Sequence, residues 1–356
     1  MGLLTPEEVP RRIGDQQDRA ARAKASRLVQ RLLYCRPMAT AAEDLIDTIE
    51  NPEGRLMFGL PSLDFPTRGI GKGEMCVITG SAHSGKTQLV LNAIANNPDA
   101  HILMFTPDEV DQLVLAKLVA MSHGMNLEQV EEAIRDGSRK VKEMVRRAAA
   151  ERYPNLLVVD QTIGFAEMKA ALEEAEDFWG EACEAIVYDY LDLLPGEADY
   201  TSTKGKSTGM KRFVKSARVA GLIIHQPKRT GARRGQLVGM DDLHMAGDKE
   251  ATFVFGVYRK RDDEDLDDVD RLRHEDTVSV HLSKNKRPPC KTGTWDLHLA
   301  PRTGVIREIT DADWLRPGMP FRHAAEAMEA RANLVSSNAE DSGMITDDVP
   351  VVHETA

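Results

Sequence analysis

Gly80-Ser81-Ala82-His83-Ser84-Gly85-Lys86-Thr87 sets two glycines, a lysine and a hydroxyl at the G-x-x-x-x-G-K-[ST] spacing of a phosphate-binding loop. Gly80 and Gly85 let the backbone curl so that successive N–H groups aim at phosphate oxygens, and a helix starting at the end of the loop adds its partial positive charge. Lys86 can reach the β- and γ-phosphates, and the Thr87 hydroxyl can ligate Mg²⁺. Gln88 completes the segment. The motif needs a strand before it and a helix after it. Met75-Cys76-Val77-Ile78-Thr79 is short and apolar, and Gln88–Ala95 has helical apolar spacing. The expected ligands are ATP and Mg²⁺.

Hydrolysis of a triphosphate also needs an acid for the metal, a group that orients water, and a cation for the developing charge. Ala185-Ile186-Val187-Tyr188-Asp189 is an apolar strand that ends in an acid, which makes Asp189 the expected Mg²⁺ partner with Thr87. His101-Ile102-Leu103-Met104-Phe105 runs into Thr106-Pro107-Asp108-Glu109. Either Asp108 or Glu109 can polarise the attacking water, and the other then caps the next helix. Gly221-Leu222-Ile223-Ile224 runs into His225-Gln226, and an amide there can sense the γ-phosphate.

These residues must share one sheet edge. The expected strands are Glu74–Thr79, His101–Phe105, Asn155–Val159, Ala185–Asp189, Gly221–His225, Ala251–Tyr258 and Thr277–Ser283, with helices over 87–96, 109–122, 127–150 and 165–179. Strands alternating with helices predict an α/β fold, a mostly parallel central sheet with helices on both faces. Pro288-Pro289 and Thr292-Gly293-Thr294 fit the turn of a C-terminal β-hairpin. Three regions are expected: 1–54, with a basic amphipathic helix over 15–34 and a short helix over 41–50; 55–310, the ATPase core; and 311–356, an acidic tail with the composition of disorder.

The 356 residues are 42% hydrophobic, enough for one large α/β domain with extensions. No apolar run approaches the ~20 residues of a membrane helix, and the N-terminus lacks an apolar signal region. Four scattered cysteines with no C-x-x-C pair read as reduced thiols in a cytoplasmic protein. The net charge of −11 opposes nucleic-acid binding, but its distribution favours it. Residues 201–240 hold no Asp or Glu and contain Lys204, Lys206, Lys211, Arg212, Lys228, Arg229, Arg233 and Arg234, a local polyanion site. Gly205, Gly209, Gly231 and Gly235 predict mobile loops there. Aromatics for stacking are scarce, so phosphate tracking with little sequence preference is expected.

From about 55 to 310 the chain resembles the RecA-like ATPase domain of DnaB-type replicative helicases. The resemblance runs through Gly59-Leu60-Pro61-Ser62-Leu63-Asp64 with Arg68-Gly69-Ile70 and Gly73-Glu74, then Asn155–Asp160, Asp189-Tyr190-Leu191, His225-Gln226-Pro227-Lys228-Arg229, and Asp242-Leu243 with Gly247. Ser283-Lys284-Asn285-Lys286-Arg287 is similar to the family's K-x-R hairpin, whose cations enter the neighbouring subunit's ATP site. The resemblance implies that Lys284 and Lys286 align with those cations and that Arg287, the one guanidinium, can be the finger. It further implies a homo-oligomer, a hexamer, that moves 5′→3′ on single-stranded DNA, with primase, loader or polymerase as partners. Three features depart from the pattern. The family's glutamate falls on Asp108 by ungapped spacing, His244 stands where an arginine is typical, and the separate N-terminal domain is missing, which points to a minimal, bacteriophage-like form. Filament-forming recombinases of the RecA or RadA kind and regulatory ring ATPases of the KaiC kind share the loop. Asp189-Tyr190-Leu191 with Lys284-Asn285-Lys286 favours the helicase over the first, and the basic block favours it over the second.

Overall fold

The structure is a computed structural model that describes residues 38–50, 54–195, 200–226, 235, 237, 250–310 and 313. The chain divides after Gly54 into two units. In the first, Met38–Glu50 forms helix α1, which exposes Leu45, Ile46 and Ile49. The basic segment 15–34 and the tail beyond 313 lie outside the described residues.

The second unit opens with helix α2 (Pro61–Thr67) and is built on a nine-stranded sheet of order β3-β2-β4-β5-β1-β6-β7-β8-β9. Its strands are β1 Met75–Thr79, β2 Ile102–Phe105, β3 Leu156–Val159, β4 Ala185–Tyr188, β5 Ala220–His225, β6 Phe253–Tyr258, β7 Thr277–Asn285, β8 Gly293–Leu299 and β9 Ile306–Glu308. The first six pair in parallel and the last three add antiparallel. Each expected strand forms within two residues of its expected ends. The hairpin is β7–β8, and β9 extends it.

The parallel strands are apolar throughout because both faces are covered. Side chains alternate across the sheet. Cys76, Ile78, Met104, Val187, Leu222 and Ile224 join the core on one face, with Leu89 and Ile94 of helix α3 (Lys86–Ala95) and Leu118 of helix α4 (Asp111–His123). Met75, Val77, Phe105, Tyr188 and Ile223 join the core on the other face, with Leu172 of helix α7 (Phe165–Trp179) and Val214 of helix α8 (Tyr200–Ala217).

Two expectations are corrected. The segment 127–150 is not one helix. Helix α5 (Leu127–Arg135) ends where Gly137 takes φ +83°, and the Ser138 hydroxyl caps helix α6 (Arg139–Arg147) by accepting from the Val141 N–H. The segment 200–212 is not a mobile loop but the body of α8. Met210, Phe213, Val214 and Ala217 lie at helical spacing, and they bury or pack against the second core. Gly209 serves packing there, since a Cβ would stand 2.5 Å from the Phe165 ring. Gly205 meets nothing within 4 Å.

Arg287 is also corrected. Its guanidinium is tied into its own subunit, with Nε donating to Glu74 Oε1 at 3.1 Å, a second bond to Glu74 Oε2, and donations to the Thr67 and Gly69 carbonyls. It also lies 5.3 Å from the Phe253 ring centroid. A guanidinium with each of its nitrogens engaged is a clamp between the hairpin and the strand β1 entry, not an outward finger. Breaking such a pair strands Glu74, so Arg287→Ala is expected to cost about 3 kcal/mol and lower the thermal midpoint while ATP still binds. An unchanged midpoint in a thermal denaturation series would refute the clamp.

Candidate active site

The carboxyl ends of the parallel strands meet in a cleft of about 490 Å³. Its lining draws on five neighbouring strand ends: Asp108 and Glu109 after β2, Asp189 after β4, Gln226 after β5, Ala82 to Gln88 after β1, and Arg259 after β6. Clefts of open α/β sheets form at this edge.

The loop is shaped for close approach. A Cβ on Gly80 would stand 2.2 Å from the Val257 carbonyl oxygen, and Gly85 takes φ +103°, so larger side chains at either position force the loop away. Helix α3 begins at Lys86 and turns its unpaired N–H groups toward the cleft. Lys86 is 7% exposed, and its ammonium donates to the Ser81 carbonyl at 2.6 Å. Burial pulls its pKa down to about 8, against the charge of Asp189. The Ser84 hydroxyl is buried without a partner, a polar group facing inward with nothing to bond.

Thr87 Oγ1 donates to Asp189 Oδ2 at 2.7 Å. Asp189 is 4% exposed. Burial raises its pKa to about 6, with Glu109 and Asp108 adding to the rise while the Thr87 bond and Lys86 oppose it. A buried carboxylate among other acids is short of positive charge. The site therefore fits a divalent cation held by the Thr87 hydroxyl and, through water, by Asp189.

This shift has a consequence for stability. Between its ordinary value of 3.8 and about 6, the folded protein holds the Asp189 proton more tightly than the unfolded chain. Stability in the ligand-free state therefore rises as pH falls through that window, and the penalty for ionised Asp189 is fully present above it. Thermal midpoints followed against pH should show wild type gaining on Asp189→Asn from pH 6 down to 3.8. Parallel curves would refute the burial penalty.

The two acids after β2 differ. Asp108 is exposed, whereas Glu109 is half-buried and ion-paired with Lys117 of α4. Gln226 lies beside an unforeseen acid, Asp192. One Asp192 oxygen accepts from the Gln226 backbone N–H at 3.2 Å and contacts His225 Nδ1 at 3.1 Å. Burial pushes the Asp192 pKa up, but the His225 bond and charge outweigh it and hold the carboxyl below its ordinary range.

A model of the DnaB-like helicase C-terminal domain matches residues 56–303. The chain belongs to that family. The matched span covers strands β1 to β8 and every cleft residue but Gly304, so the cleft is that of an ATP-hydrolysing DNA helicase. Solved structures share the fold. One solved ATPase domain superposes with a TM-score of 0.62 at 17% identity, over 78% of this chain and 100% of that one. The structure of a DnaB-like replicative helicase and its interactions with primase gives 0.61 at 17% identity, over 85% of this chain and 75% of that one. No curated protein matches the chain. Among the described residues, no helix of this DnaB-like domain is long and apolar enough to cross a membrane.

The expected site residues divide into three groups. The loop, Asp108, Glu109, Asp189 and Gln226 converge on the cleft. Lys284 and Lys286 do not. β7 runs antiparallel to β6, so residue 285 pairs with Phe253 at the amino-terminal edge, across the sheet from the DnaB-like domain's own phosphate loop. Of the basic block, Lys204 and Arg212 are exposed on α8. Lys206 is 5% exposed and its ammonium bonds the Asp192 carbonyl at 2.9 Å, while Lys211 bonds the Gly73 carbonyl at 3.0 Å. Both ammonium groups are thus engaged with backbone carbonyls of their own chain, Lys206 buried and Lys211 half-buried. Lys228, Arg229, Arg233 and Arg234 lie outside the described residues.

Sequence reasoning missed Arg259, Arg261 and the segment Leu299 to Pro301 with Gly304, all lining the cleft. Arg259 had a signal, since it follows an expected strand and strand ends build such sites. The β8–β9 turn had none, because only the antiparallel extension brings it beside Gln88.

Proposed function

We propose that this chain is the motor of a ring-forming replicative helicase, a hexamer that hydrolyses ATP between subunits and moves on single-stranded DNA. One observation carries the ring: Lys284 and Lys286 sit on the sheet edge opposite the phosphate loop of the same chain. They are too far from that loop to serve it, and a second copy stacked head to tail would bring them to it. Such heterologous contacts close into a ring where the rotation between copies closes, and run on as a filament where it does not.

Within each site, Lys86 and the loop N–H groups hold the triphosphate of ATP, and Thr87 with Asp189 holds Mg²⁺. The ion, when bound, neutralises charge on the β- and γ-phosphates. Glu109 accepts the proton of the attacking water. Its burial and fixed orientation favour it over Asp108, which is exposed. Gln226, at the end of the neighbouring strand, reads whether the γ-phosphate is present and passes that state to the segment after it. Neighbouring Lys284 and Lys286 stabilise the charge that develops in transfer.

Lys204 and Arg212, with the arginines and lysine at 228–234, contact DNA phosphates without reading bases. Single-stranded DNA is the track, and primase is a partner of the assembled ring, in keeping with the DnaB-like replicative helicase of similar fold. The test is unwinding of a tailed duplex. ATP should drive it, and replacing Lys204 and Arg212 by Ala should lower the log–log salt slope of single-strand binding by roughly 0.7 per lost contact. ATP turnover without unwinding, on a substrate the protein binds, would overturn the helicase reading.

A further inference from the structure

We infer that Lys117 is the positioning residue for the water-activating Glu109. Lys117 lies on α4, two helical turns beyond the acid. Val114, Leu118 and Met121 of the same helix are buried, so α4 is fixed on the sheet. Helical side chains lean toward the N-terminus, and the lysine stem therefore runs back along α4 toward the strand β2 end. Its ammonium meets Glu109 Oε1 in a close ion pair, with the two side chains 23% and 21% exposed.

The two carboxylate oxygens are thereby made unequal. Oε1 is held by charge. Oε2 is buried and has no partner. Glu109 thus lines the cleft with one oxygen held by charge and the other an acceptor without a partner in the protein, which the pair keeps in one place. The pair also offsets the crowding of Asp108, Glu109 and Asp189 around one cleft, which otherwise drives the most mobile carboxylate toward solvent. A residue that holds the base against that repulsion acts on turnover and leaves ATP binding alone, because binding rests on the loop.

The inference rests on Glu109 being the base, so both are tested together. Full-length protein with ATP, Mg²⁺ and single-stranded DNA is assayed for kcat and KM. Lys117→Met and Lys117→Gln are expected to lower kcat by about 10- to 100-fold, the effect of letting a reacting group drift by about an ångström. KM for ATP should stay within about 2-fold, as for an interaction made only in the transition state. Lys117→Arg should recover most of the loss. In a Glu109→Gln background, Lys117→Met should cost nothing further.

If Glu109→Gln abolishes turnover while both Lys117 variants, folded by their thermal midpoints, keep it within about 2-fold, the positioning role is overturned and the base remains. Turnover that rises without DNA in Lys117→Met would also overturn it, since the lysine would then restrain the acid. If instead Glu109→Gln retains turnover and Asp108→Asn loses it, the assignment of the base itself fails.

Discussion

Lys86→Ala is expected to remove ATP turnover by at least ~10³-fold and to leave the protein folded. Lys86 is the cation that the loop can extend over the β- and γ-phosphates. Its ammonium donates to the Ser81 carbonyl at 2.6 Å, buried and with its pKa pulled down to about 8. That is a poor resting place for a charge, and a bound triphosphate offers a better one. Truncation removes the cation and one loop bond. Strand β1 and helix α3 remain anchored by Cys76, Ile78, Leu89 and Ile94 in the core, so the fold has no reason to open. The checks are steady-state turnover and a thermal melt on the same preparation. Wild-type turnover in the variant would sink the assignment of the nucleotide site.

Mixing two inactive variants should restore activity. Lys284→Ala with Lys286→Ala is expected to bind ATP in its own loop and to hydrolyse it about 10³-fold more slowly, the order of effect of losing a cation supplied in trans. Lys86→Ala protein keeps the hairpin cations but has a dead loop. At a mixed interface the double variant contributes an intact loop and the Lys86→Ala subunit contributes the cations, and that site is complete. Arg287 is left intact here, because it clamps Glu74 and its loss would confuse assembly with stability. No recovery, in mixtures shown to co-assemble, would mean that each subunit hydrolyses alone and would remove the main support for the ring.

The chemistry of this protein was written in its sequence because that chemistry is local. A phosphate loop needs Gly80, Gly85, Lys86 and Thr87 within eight residues, and a strand–loop–helix around them. Strand-end acids and amides such as Asp189, Glu109 and Gln226 could be found because parallel buried strands are continuous apolar runs that stop at a polar residue. Alternating strands and helices then dictated a layered α/β fold. What was not legible depends on contacts between residues far apart in sequence. Serine-, glycine- and lysine-rich 200–209 has the composition of a loop, yet Met210, Phe213 and Val214 bury one side of the segment and fold it as helix α8. Lys206 and Arg287 looked like surface cations, and both became internal ties once Asp192 and Glu74 were brought against them. Lys117 carries no motif and acquires its meaning from the way α4 leans back over the strand β2 end. The direction of β7, antiparallel to β6 and set by pairing between segments rather than by any single one, decided that the phosphate loop and Lys284 lie at opposite ends of the strands.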